Sequence, residues 1–381
     1  MVICRKSTIT GLALTALVGS LLTAPALPAH AAEIIGGSAL GSGIVVNSAP
    51  GIGALPASEA ESYLIADLDT GEILAAKNPH KKLPPASTLK TLTALALLPR
   101  LDKSAKYIGQ LSDTKVDGSK AGIYPGRAYS IDSLWYALFL LSANDSGMAL
   151  AHSAGGLTKT LTYMQSEAKR VQALDTVARS PHGLDRPGQV SSAYDLALIS
   201  REALKREDFR RYAATTKYTF LGSGKGNKPL PIYNQNKLLT TYSGAIGVKT
   251  GYTTQGKNTY VGAATRNGHT IIITMMYLPY GRDALAVKLL NWGFKARGKV
   301  MPIGVLVEPL EGAANLTPKV PANAKLAKAE KAITQSSGIS PSGLPIKLIL
   351  IPILLVVLLR LRVRIKMWKR TRYRRMNPTA S

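Results

Sequence analysis

Leu83-Pro84-Pro85-Ala86-Ser87-Thr88-Leu89-Lys90 is the stretch on which the reading of this chain turns. Two prolines break whatever precedes them, and residues 87–98 read as a helix that Pro99 stops. If Ser87 opens that helix, positions i and i+3 share a face, which carries the Lys90 ammonium toward the Ser87 hydroxyl. A serine hydroxyl is a weak nucleophile until a base takes its proton. Lysine can be that base once burial or a neighbouring cation lowers its pKa. The positive end of the helix would also favour a developing oxyanion. Spacing alone leaves a plainer alternative open, in which Ser87 is an N-cap and Lys90 a solvated helical residue.

Two more short motifs follow in order. Ser142-Ala143-Asn144 lies in a polar break between apolar helices expected at residues 131–141 and 145–154. A hydroxyl and an amide there can relay a proton and hold a carbonyl, or simply cap a turn. Lys249-Thr250-Gly251 ends a strand expected at 245–249. Lys249 offers charge, Thr250 a hydroxyl for a carboxylate, and Gly251 close backbone approach. An edge strand with a gatekeeping lysine would look the same.

Further outward, apolar runs at 63–68 and 72–76 flank the turn Asp69-Thr70-Gly71, and 258–265 and 269–277 flank Arg266-Asn267-Gly268, giving two hairpins. Helices are expected at 191–205 and 282–294. Strands, a block of helices, strands and a closing helix imply an α/β (α+β) fold: one antiparallel β-sheet built from both ends of the body, flanked by helices, with an inserted helical lobe.

Each motif is weak alone, but the ordered triple is strong, with 55 residues from Ser87 to Ser142 and 107 from Ser142 to Lys249. The set S-x-x-K, S-x-N, K-T-G resembles the penicillin-binding protein and serine β-lactamase superfamily. Its flanking text is similar to the small D-alanyl-D-alanine carboxypeptidases: Asn78-Pro79-His80, Ser180-Pro-His-Gly-Leu-Asp185, Tyr233-Asn-Gln-Asn-Lys237 and Gly247-Val-Lys-Thr-Gly-Tyr252. The resemblance spans residues 59–294. It implies a two-step acyl transfer on peptidoglycan stem peptides, without cofactor or metal. Ser87 would be the nucleophile and Lys90 its base. The backbone N–H groups of Ser87 and Tyr252 would form the oxyanion hole. Ser142 would pass a proton to the leaving amine, Asn144 would hold the substrate amide, and Lys249, Thr250 and Gly251 would bind the terminal carboxylate end. β-Lactams would acylate the same serine.

Other readings are weaker. A class A β-lactamase carries E-x-x-L-N after S-x-N, and residues 142–249 lack it; Glu167, Glu202 and Glu207 fall in apparent helices. A DD-endopeptidase of the same fold stays open. A non-catalytic wall-binding protein would not need all motif residues intact. His80, His152, His182 and His269 lack metal-ligand spacing, which argues against a zinc carboxypeptidase, and no G-x-S-x-G elbow occurs. Many similar enzymes carry a β-rich domain after the catalytic one; only residues 300–310 stand here before the linker.

The ends dispose of much of the charge. The 381 residues carry 48 Lys+Arg and 22 Asp+Glu, a net +26 that invites a nucleic-acid reading. Arg5 and Lys6, the apolar run 9–22 and Ala29-His30-Ala31 read as a signal peptide over 1–31. Residues 32–58 are Gly/Ala/Ser-rich and read as a flexible lead-in, 59–310 as the catalytic body, and 311–343 as a linker. The apolar segment 344–360 reads as a C-terminal transmembrane helix, at the low edge of the roughly 17–25 residues that span a bilayer. Nine cations between Arg360 and Arg375 mark the tail, 361–381, as cytoplasmic and suited to anionic lipid. The expected topology is single-pass in a bacterial plasma membrane, with the body outside. With Lys347 also beside the membrane, the remaining +14, from 36 basic and 22 acidic residues over 32–346, faces a wall of anionic polymers rather than nucleic acid. Cys4 leaves with the signal, so no disulfide supports the body.

Overall fold

Turn chemistry at Asp69-Thr70-Gly71 builds the hairpin from which the sheet grows. Gly71 has a positive φ of 81°, and its N–H bonds to the Asp67 carbonyl. The computed structural model describes residues 34–221 and 228–310. In chain order the elements are β1 (Ile44–Val46), β2 (Ser62–Asp67), β3 (Glu72–Lys77), α1 (Lys90–Leu97), β4 (Lys106–Ile108), α2 (Leu111–Thr114) and β5 (Ala128–Ser130). Then come α3 (Ile131–Leu140), α4 (Asn144–Ser153), α5 (Leu157–Arg170), α6 (Ala193–Leu204), α7 (Glu207–Ala214), β6 (Lys217–Phe220) and β7 (Leu230–Tyr233). The chain returns through α8 (Leu238–Thr241), β8 (Ala245–Thr253), β9 (Lys257–Arg266), β10 (His269–Leu278), α9 (Arg282–Ala296) and β11 (Gly304–Val305).

The main sheet runs β1-β3-β2-β10-β9-β8, with β11 also on β3, and every pairing is antiparallel. Strands from both ends of the body therefore join in one sheet at the β2–β10 pairing, and the helices between β3 and β8 form the inserted lobe. The result is a mixed α/β fold. Alternation along β2 and β10 divides the core in two. Leu64, Ala66, Ile272 and Met276 face the helical lobe, while Tyr63, Ile65, Ile271, Ile273 and Met275 face α9 with Leu285, Leu289 and Leu290. Both faces are covered, so all six residues of β2 are buried. Every residue of α1 is buried as well, which makes it the central helix of the lobe.

The structure corrects the flexible lead-in expected at 32–58. Within it, β1 pairs with β3 in the register Ile44↔Lys77, and Leu40 is fully buried. A three-residue strand and one apolar anchor are too little periodicity to stand out among glycines. The sequence suggests helix only around Glu167 and Glu207 for α5 and α7, and it gives no expectation for the hairpins β4–β5 and β6–β7. Among the described residues no helix is long and apolar enough to cross a membrane. The expected signal peptide (1–31), linker (311–343), anchor (344–360) and tail (361–381) lie outside the described residues.

Candidate active site

Ser87 does not cap a helix. Residues Ala86–Leu89 form a 3-10 turn that runs into α1 at Lys90. Ala86 sits at φ 48°, a conformation that L residues adopt at a cost. Side chains from both directions hold the turn: Thr88 Oγ1 donates to the Pro85 carbonyl at 2.5 Å, and Thr259 Oγ1 of β9 donates to the same oxygen at 2.9 Å. Gly183 presses on it from the opposite side, where an added Cβ would lie 1.9 Å from the Ala86 carbonyl oxygen.

Lys90 is fully buried, and its Nζ has three neighbours. Ser87 Oγ lies at 2.9 Å, Asn144 Oδ1 at 2.7 Å and the His182 carbonyl oxygen at 2.6 Å. Burial, and then the Lys249 cation, push its pKa well below the ordinary lysine value, against a smaller opposing pull from Asp145. A neutral amine has two N–H groups and one lone pair. The two carbonyl-type oxygens can only accept, so the lone pair is left for the Ser87 hydroxyl. That is the arrangement a general base requires.

Ser142 and Asn144 occupy the break between α3 and α4. Ser142 is 4% exposed with φ 57°, and its Oγ has no hydrogen-bond partner among the described residues. Gln235 braces this turn: its N–H and Nε2 donate to the carbonyls of Leu140 and Leu141. Asn236 ties the same segment to the sheet by accepting from Tyr260 Oη at 2.9 Å. Asn144 Nδ2 donates to the Asp117 carbonyl at 2.7 Å, which fixes the amide with its oxygen on Lys90. Asn144 thus orients Lys90, a partner the expected substrate contact did not include.

Strand β8 forms the opposite wall. An added Cβ on Gly251 would lie 2.8 Å from the Ser87 nitrogen and 3.0 Å from that of Thr88, so the end of β8 runs against the Ser87 N–H. Lys249 is buried, and burial with nearby Arg282 brings its pKa down to about 7. Its Nζ donates to the Thr250 carbonyl at 2.9 Å, and Thr250 is buried. Tyr252, two residues after Thr250, is 62% exposed. The structure thus brings Ser87, Lys90 and Asn144 into direct contact, sets Lys249 within electrostatic reach, and seats Gly251 on the nucleophile turn.

Four functional groups escaped sequence reasoning. The His182 carbonyl bonds to Lys90, but any residue offers a carbonyl. Its ring stays neutral, with a pKa held down to about 3 by burial and by the Lys90 and Arg186 charges. Asp185 accepts from Thr253 Oγ1 at 2.7 Å and from the Gln255 N–H, pinning the 180–185 loop to the end of β8. Arg282 opens α9 beside Lys249, and Asp145 lies behind Asn144. The Ser-Pro-His-Gly-Leu-Asp text could have signalled the loop, but nothing near Lys249 in sequence points to Arg282. Among the described residues no cluster of His, Cys, Asp or Glu is placed to hold a metal ion.

The body of the chain is similar to known proteins. Residues 49–278 match the Peptidase S11 family model, described as D-alanyl-D-alanine carboxypeptidase. The chain is 38% identical over 247 residues to D-alanyl-D-alanine carboxypeptidase DacB2 of Mycobacterium tuberculosis, covering 63% of this chain and 84% of that protein. Against DacF of Bacillus subtilis it is 30% identical over 247 residues, spanning 62% of this chain and less than two thirds, 63%, of the relative. The crystal structure of a D-alanyl-D-alanine carboxypeptidase from Mycobacterium tuberculosis H37Rv superposes with a TM-score of 0.64 at 36% identity, covering 68% of this chain and 99% of that one. The Streptomyces K15 DD-transpeptidase superposes with a TM-score of 0.60 at 29% identity, over 64% of this chain and 99% of that one.

Proposed function

Since the chain belongs to the D-alanyl-D-alanine carboxypeptidase family, we propose that Ser87 carries its acyl transfer and that Lys90 is the base. The protein is a serine-type D-Ala-D-Ala carboxypeptidase, a hydrolase of the cell wall. The observation that carries the assignment of roles is Lys90 Nζ between Ser87 Oγ, Asn144 Oδ1 and the His182 carbonyl.

In this reading the terminal D-alanine carboxylate of a peptidoglycan stem peptide settles between Lys249, Thr250 and Arg282. Binding it restores full charge to Lys249, because an anion favours the ammonium form. Lys90 takes the proton of Ser87 as Oγ attacks the carbonyl of the penultimate D-alanine. Negative charge on the carbonyl oxygen is met by the N–H groups of Ser87 and Tyr252. Ser142, whose hydroxyl has no partner among the described residues, relays the proton to the leaving amine, and D-alanine departs. Water, activated by Lys90, then releases the shortened peptide from Ser87. β-Lactams acylate Ser87 by the same attack and leave slowly. Gly251 keeps the strand close enough to Ser87 for both N–H groups to reach one oxygen.

The same reading extends to placement. A signal peptide at 1–31 exports the body, the 344–360 segment anchors it, and the basic tail lies on the cytoplasmic face against anionic lipid. What supports this is the apolar and basic patterning of both ends.

The test is release of D-alanine from a stem-pentapeptide mimic by the full chain and by Ser87→Ala. Release by the first and none by the second is expected. Release that survives the substitution removes Ser87 from the mechanism.

A further inference from the structure

The Asp145 carboxylate is fully buried directly behind Asn144 and takes no part in the steps above. It accepts four backbone N–H groups. Ala121 N–H donates to Oδ1 at 2.9 Å, Gly122 N–H to Oδ2 at 2.8 Å and Ile123 N–H to Oδ2 at 3.0 Å, and Ser146 N–H donates to Oδ1 at 2.9 Å. Three consecutive amides converging on one side chain form a concave anion seat, here filled by the protein's own carboxylate. Hydrogen bonds to an ionised acceptor are about twice as strong as neutral ones.

The segment so gripped reaches the site. Two residues before it, the Ser119 carbonyl accepts the Asn144 N–H at 2.7 Å, and four residues before it the Asp117 carbonyl accepts Asn144 Nδ2 at 2.7 Å. Between these, Gly118 packs so tightly that an added Cβ would lie 2.9 Å from Asn144 Nδ2 and 3.5 Å from Leu184 Cδ2. We propose that Asp145 is a positioning residue for acylation. Its carboxylate holds residues 117–123 on the N-terminus of α4, and this segment fixes the Asn144 amide that aims Lys90 at Ser87.

The proposal rests on the acyl-transfer reading of Ser87, and its consequences separate from those of that reading. Around Lys90 the charged groups are Asp145 on α4 and Lys249 on β8. The neutral His182 ring lies on the 180–185 loop, and Asp117 and Lys120 on the gripped segment are exposed. Asp145 favours the ammonium form of Lys90, while burial and Lys249 oppose it. Asp145→Asn removes that charge at nearly constant size. Lys90 then loses its proton at lower pH, and the acidic limb of the acylation profile moves down by roughly one pH unit. A loosened Asn144 slows acylation at pH 8 by roughly 10- to 100-fold.

The experiment measures second-order acylation of the full chain by a fluorescent penicillin from pH 4 to 9, for wild type and Asp145→Asn. Hydrogen exchange is followed at 121–123. Expected are slower acylation, the limb displaced to lower pH, and faster exchange at those amides. A wild-type rate, an unmoved limb or unchanged protection each overturns the proposal. Should Asp145→Asn fail to fold, Ala121→Pro deletes one donor and leaves the charge in place. It is expected to acylate more slowly with the limb where wild type has it, and a wild-type rate overturns the proposal. If wild type itself does not label, the reading of Ser87 fails first, and the exchange protection still reports on the clamp.

Discussion

Replacing Gly251 by alanine tests the seating of β8 against the nucleophile. The φ of Gly251 lies outside the left-handed region, so its backbone conformation accepts an L residue and only space refuses one. The new methyl would meet Thr259 Oγ1 at 2.3 Å, the Ser87 nitrogen at 2.8 Å and the Thr88 nitrogen at 3.0 Å, where ordinary contact begins near 3.4 Å. The shortfall is about 1.1 Å at the hydroxyl and about 0.6 Å at the Ser87 nitrogen. Thr259 can rotate, at the expense of its bond to the Pro85 carbonyl. The Ser87 nitrogen cannot, so either the turn or the strand must shift. Overpacking of this kind costs roughly 1–3 kcal/mol of stability. Displacement of an oxyanion donor by a fraction of an ångström costs more in rate. Losing one donor costs roughly 10²–10³ and a 1 Å misplacement about 10², so a 10- to 100-fold fall in acylation is expected. Fluorescent-penicillin acylation and thermal unfolding measure the two effects separately. Adding Thr259→Ala relieves the hydroxyl clash but also deletes the bond to the Pro85 carbonyl, and it leaves the clash at the Ser87 nitrogen, so the double variant should regain none of the rate. Acylation by Gly251→Ala within about threefold of wild type would refute the seating of β8 on Ser87.

Asn144→Asp places an anion 2.7 Å from Lys90 Nζ, which favours the ammonium form. The acidic limb of acylation should move to higher pH, with activity at pH 7 down at least tenfold (about 1.4 kcal/mol); a profile unmoved in pH would contradict the neutral-amine reading. Lys249→Met should reduce kcat/KM on a free-carboxylate peptide by roughly 10²-fold and barely affect a peptide amidated at its terminus. Equal losses on both would remove Lys249 from carboxylate binding. Asp195 is buried, its Oδ1 has no hydrogen-bond partner among the described residues, and burial raises its pKa to about 7. Its raised folded pKa means that the stability it contributes is full below the unfolded value and is lost as pH rises through about 7. Asp195→Asn should therefore raise stability at pH 8 by roughly 1–3 kcal/mol, seen as a higher melting temperature, and do little at about pH 3.5, below the unfolded value; a gain equal at both would contradict the assignment.

The triple of motifs was legible because each places functional letters at short, fixed spacing, and the hairpins around Gly71 and Gly268 because turn chemistry is local. Helix α5 was legible only around Glu167 and not in its bounds, since its buried face includes Thr160, Glu167 and Arg170 and offers little apolar contrast. The start of the nucleophile helix was misplaced for a different reason. Ala86 adopts its positive φ under contacts from Gly183 and Thr259, which are distant in sequence. Backbone groups leave no mark in the letters, so the His182 carbonyl and the amides of 121–123 could only emerge in three dimensions. Asp145 stood in plain view beside Asn144, but its partners lie more than twenty residues earlier.

Mass spectrometry of the full chain after brief reaction with benzylpenicillin, followed by proteolysis, tests the central claim most directly. The account predicts a single penicilloyl adduct, carried by Ser87 in the peptide that contains Lys90, and none in Ser87→Ala. An adduct on Ser142 or any other residue, or no adduct on the intact protein, would contradict it.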